Sequence, residues 1–140
     1  MKDVRDFYVD ITPIEALRVI EQSIVTGSIS GKVLDVYKRS VGDQEIVVCV
    51  IEKFYYRTSN RASLTITLDN LEEFTKVHAV ASGGGAGAFM RFDWGAGGNF
   101  VESVSRALDQ YIVEQWNFDN FCLILLFNKN NEKSKNLKYN

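Results

Sequence analysis

Few residues in this chain are equipped for chemistry. His78 is the sole histidine, and an acid–base role for it needs a carboxylate at hydrogen-bond distance, for which Asp93 is the candidate if sheet pairing joins the two. Arg91 and Asp93 stand two apart, a spacing that puts both side chains on one face of a strand, where they form a surface ion pair or orient a ligand. Gly83 to Ala88 fits G-x-G-x-x-A and invites a pyrophosphate loop, but such a loop must open a helix. Phe89 to Trp94 alternate as a strand instead, so the glycines read as room for a bend or bulge. Gly31 and Lys32 are followed by Val33 rather than serine or threonine, so this is no Walker loop. One histidine and the distant Cys49 and Cys122 make no zinc spacing, both cysteines lie in apolar runs, and G-x-S-x-G is absent. No catalytic residue, metal or cofactor is assigned on these grounds, and the enzyme reading through His78 and Asp93 ranks third.

Positioning these residues requires a sheet, and the chain writes one. Phe7, Val9 and Ile11 alternate with polar neighbours as a short strand, and Thr12, Pro13 and Glu15 then form a capping box with proline in the first turn. Leu17, Ile20 and Ile24 predict a helix over Pro13 to Thr26, stopped at Gly27. From Gly31 the period becomes two, with Val33, Asp35, Tyr37 and Arg39 predicted on one strand face. Glu45 to Arg57 is a long strand, apolar on both faces from Ile46 to Ile51. Ala62, Leu64, Ile66 and Leu68 mark the buried face of another, and Phe74 to Ser82 the next. Seven of the ten glycines fall between Ser82 and Asn99, flanking a predicted aromatic strand from Ala88 to Trp94. Asn99 and Glu102 make a second capping box, from which Val101, Val104, Leu108, Tyr111 and Ile112 predict a helix to Trp116.

These elements describe an α+β fold, an antiparallel meander sheet with an N-terminal and a C-terminal helix packed on one face. The order is similar to the helix-grip fold of Bet v 1 and START-like proteins, over about residues 7 to 116, on topology alone. The run from Lys76 through Gly83, Gly84 and Gly85 to Phe92, Asp93, Trp94 and Gly95 resembles a small bacterial family of unknown function. That resemblance implies a compact bacterial domain and no site residues.

The 140 residues and formal charge of −2 suit one soluble domain with a core of its own. Residues 1–116 are expected to form it, with 117–140 an apolar extension followed by a disordered asparagine- and lysine-rich tail. The last thirteen residues carry four lysines and one glutamate, which leaves the body acidic and argues against nucleic acid. Charges at Lys2, Asp3, Arg5, Asp6 and Asp10 break up the start, so a cytoplasmic protein is expected. The apolar run from Phe121 to Phe127 is too short to span a membrane.

The first functional expectation is a small apolar or amphipathic ligand in a cavity between the sheet and the C-terminal helix. His78, Phe89, Arg91, Asp93, Trp94 and Tyr111 are its candidate lining, the aromatics for contact and the charged pair for orientation. The alternative, from a different class, is protein interaction or homodimer formation through the apolar segment 118–127.

Overall fold

The computed structural model describes residues 3–56, 59–83 and 96–114, with positions 126 and 129. Strand β1 (Val4–Val9) leads into helix α1 (Pro13–Val25). The Thr12 hydroxyl accepts the Glu15 N–H at 3.2 Å, and the Thr12 N–H donates to the Glu15 carboxylate at 2.9 Å. This is the expected capping box, and Pro13 occupies a position where no intrahelical N–H bond is lost. Gly27 leaves the helix with φ +85, in the left-handed region where glycine carries no Cβ penalty.

Strands β2 (Lys32–Val41), β3 (Gln44–Tyr55), β4 (Asn60–Asp69) and β5 (Thr75–Gly83) form an antiparallel meander. β1 docks beside β5, Val4 opposite Val80 and Val9 opposite Thr75. Helix α2 (Ala96–Ala107) follows, then a 3-10 turn (Asp109–Tyr111) and the two-residue strand β6 (Ile112–Val113). Among the described residues the strand order is β2-β3-β4-β5-β1-β6.

Alternation fixes which face is covered. Ala62, Leu64, Ile66 and Leu68 of β4, Val77 and Ala79 of β5, and Val47, Cys49 and Ile51 of β3 join Leu17 and Ile20 of α1 and Phe100, Val101 and Val104 of α2 in one buried core. Each fully buried large aliphatic side chain contributes about 1.5–3 kcal/mol relative to an exposed one. Both helices therefore lie on the same face of the sheet, an α+β arrangement consistent with a helix grip.

The structure corrects four details. The predicted helix from Asn99 to Trp116 starts at Ala96 and ends at Ala107, so Asn99 lies inside it rather than capping it. Val9 and Tyr8 on the free edge of β1 take Ile112 and Val113 as a strand, a conformation that β-branched residues favour. The register also shifts between Val33 and Asp35, putting Val33 opposite buried Ile51 and Asp35 opposite Val50. Val33 and Val36 thereby both pack against the core, which strict alternation from Val33 to Arg39 forbids and a bulge permits. Lastly, β1 begins at Val4 rather than Phe7. The strand expected from Ala88 to Trp94, the apolar run from Phe118 to Phe127 and the tail fall outside the described residues, apart from positions 126 and 129.

Candidate functional site

The face of the sheet away from the helices holds the titratable groups. On β5 the residues alternating with buried Val77 and Ala79 are Lys76, His78 and Val80. His78 stands between Asp6 of β1 and Thr67 of β4 in register, and Val48 and Tyr37 continue the row across β3 and β2. The His78 Nδ1 lies 2.5 Å from the Asp6 carboxylate, with side chains 45% and 51% exposed.

One row along, Tyr8 faces Lys76, whose ammonium lies 6.0 Å from the ring centroid. The Tyr8 hydroxyl donates to Glu72 at 3.1 Å. Burial, followed by that hydrogen bond and the charges of Glu72, Asp69 and Asp6, pushes the Tyr8 phenol above its ordinary pKa. At the far corner Phe54 and Tyr56 pack edge to face at 5.0 Å, and the Arg61 guanidinium, bonded to Glu52 at 3.2 Å, lies 6.0 Å from the Phe54 ring.

A carboxylate fixing one ring nitrogen leaves a histidine able to exchange a proton at the other, which is half of an acid–base site. The other half is an enclosed place for substrate, and among the described residues none encloses His78 on the sheet face away from the helices. One cavity lies at the β2–β3 turn: it is about 90 Å³, apolar and lined by Arg39, Ser40, Val41, Gln44, Ile46 and Leu71. That is room for one apolar side chain.

Of the six candidate lining residues, His78 and Tyr111 are described, and the fold does not bring them together. Tyr111 packs against the helix-side core, and its carbonyl accepts the Asp10 N–H at 3.0 Å. Phe89, Arg91, Asp93 and Trp94 fall outside the described residues. Sequence reasoning missed Asp6 as the partner of His78. Asp6 precedes Phe7, where the expected strand began, and the pairing of β1 with residues 75–80 was not legible either.

Cys49 is buried and free, with burial, then Glu21 and Asp35, pushing its thiol to about 11. No group of three or more His, Cys, Asp and Glu side chains among the described residues is arranged to hold a metal. No helix among them is long and apolar enough to cross a membrane.

The model of a family of unknown function, DUF6054, matches residues 3–112, well over half of the chain. The protein belongs to this family. The DUF6054 match runs from just before β1 to the first residue of β6, and so includes both helices and the sheet. No curated protein and no solved structure matches the chain.

Proposed function

We propose that this DUF6054 domain is a protein-interaction module that self-associates through its sheet. The observation supporting this is the side of the sheet at β2. The strand is ten residues long and has no neighbour among the described residues on its outer edge. Beside it the face away from the helices carries half-buried Ile46, Val48 and Val50, with Tyr37 52% and Val41 79% exposed. Unpaired strand edges and exposed apolar groups are what another chain covers. The face mixes Asp6, Asp35 and Asp69 with Arg39 and Lys76, so it has no excess charge to draw nucleic acid, and it suits a second copy of itself.

The test is the mass of the full chain by light scattering from about 1 μM to about 1 mM, where binding free energies of about −8 to −4 kcal/mol become visible. A mass rising toward two chains supports self-association, and a constant monomer refutes it. Deleting residues 117–140 separates the sheet from the apolar segment 118–127 as the contact: the sheet reading expects the truncated chain to associate as the intact one does.

One observation favours the ligand reading as a second candidate. At the Gly83 end of β5 the helix-side face carries three small side chains, Ala62, Ala79 and Ala81, and in the sequence this end is followed by the stretch containing Phe89 to Trp94. Small side chains at that end demand less room than the larger aliphatics elsewhere on this face, which is what a small apolar ligand would need. Native mass spectrometry of the freshly purified chain tests it. A retained small molecule supports the reading, and a bare chain mass counts against it.

A further inference from the structure

Resting on the self-association reading, we propose that two copies pair antiparallel along β2, with the two-fold axis passing at Tyr37. Val41 lies opposite Gln44 across a two-residue turn, and such a turn is closed by a pair that exchanges both backbone bonds. Alternation then directs the backbone groups of Arg39, Tyr37 and Asp35 toward β3 and those of Ser40, Lys38 and Val36 outward. A second β2 meets that outward set.

Symmetry leaves few registers. Centring on Lys38 sets that lysine against its own copy, and like charges directly opposite are destabilising. A Val36 centre places Asp35 against Tyr37 and Lys38 against Leu34, with no charge matched. At Tyr37 the pairing sets Asp35 opposite Arg39 of the other copy, twice by symmetry, all on the face of the sheet away from the helices. Val36 then pairs Lys38 on both sides of the axis, giving about four intermolecular backbone hydrogen bonds.

One further feature agrees with that register. The bulge after Val33 ends the regular ladder at Asp35, so the pairing spans the segment from Asp35 to Arg39 and stops. The product is one continuous sheet running through both chains, with a small contact held by paired backbone and matched charge.

Three variants of the full chain test this by light scattering and by non-reducing gel, with circular dichroism to confirm the fold. Arg39→Asp replaces two attractive cross-strand pairs with two repulsive ones and is expected to weaken dimerisation about tenfold or more. The double variant Asp35→Arg, Arg39→Asp restores the charge match and the parent affinity. On mild oxidation Tyr37→Cys, on the axis at a non-hydrogen-bonded pair where Cα atoms come to about 4.5 Å, yields a covalent dimer, and Arg39→Cys does not. A parent chain monomeric throughout overturns self-association and this pairing together. A parent dimer that tolerates Arg39→Asp, or shows no Tyr37→Cys cross-link, overturns the pairing alone.

Discussion

Replacing Gly31 with alanine should be among the most damaging single-methyl additions to this protein. Gly31 opens β2 at φ +140, and a Cβ there would lie 2.7 Å from Cγ2 of Ile51 and 2.9 Å from the carbonyl oxygen of Glu52. An L-residue in that conformation costs about 1–3 kcal/mol. The reduced entropy of the unfolded chain returns about 0.4–1 kcal/mol. Ile51 is fully buried, so its methyl cannot swing clear, and overpacking adds about 1–3 kcal/mol. The net loss is about 1–6 kcal/mol, or a melting temperature lower by roughly 3–18 °C for a chain of this size. Urea unfolding at matched concentration measures it, with an unchanged slope showing that both states keep their exposed areas. Gly42→Ala is the comparison: its φ is +59 and its Cβ meets nothing within 4 Å, so it should lose only about 1–2 kcal/mol from the left-handed backbone. If Gly31→Ala unfolds within about 0.5 kcal/mol of the parent, or no earlier than Gly42→Ala, the close approach of Gly31 to β3 is refuted.

Thr12→Ala removes the hydroxyl that accepts the Glu15 N–H and should lower stability by about 0.5–2 kcal/mol in urea, with Thr12→Ser near the parent. Cys49 supplies the pH dependence. Its thiol is raised in the folded protein from 9.0 to about 11, so the unfolded chain releases this proton first. Stability from this group is complete below about pH 9 and falls as pH rises toward 11, by about 3 kcal/mol in all. Urea midpoints of the parent and of Cys49→Ala across that interval check it, since only the parent should show the additional decline.

The legible parts of this fold were those written locally. The helix at Pro13 was announced by a capping box and an apolar stripe within a few residues, and β4 by a clean alternation that one covered face requires. What escaped depended on distant partners. Ile112 and Val113 continue a helical spacing from Val101, and only the vacant edge of β1 turns them into a strand. The displaced face of Val33 is a bulge, invisible to a period of two because it consists of a break in that period. Of the candidate site, His78 was visible as the sole imidazole. Asp6 was not, because its pairing is a matter of register between strands far apart in the chain.

The place of β1 in the sheet has a consequence for how the molecule is made. Val4 to Val9 lies between β5 and β6, and its partners on β5 are Val80 to Thr75. The first strand synthesised therefore waits for the fifth, while β2 to β5 can zip from neighbouring turns as they emerge. Contacts of such long sequence separation must close a large loop before they return any stabilisation, and chains dominated by them fold slowly. The hairpins of the meander are thus expected to form early and the β1–β5 seam late, so β1 substitutions such as Phe7→Ala should mainly hasten unfolding and leave the folding rate nearly unchanged.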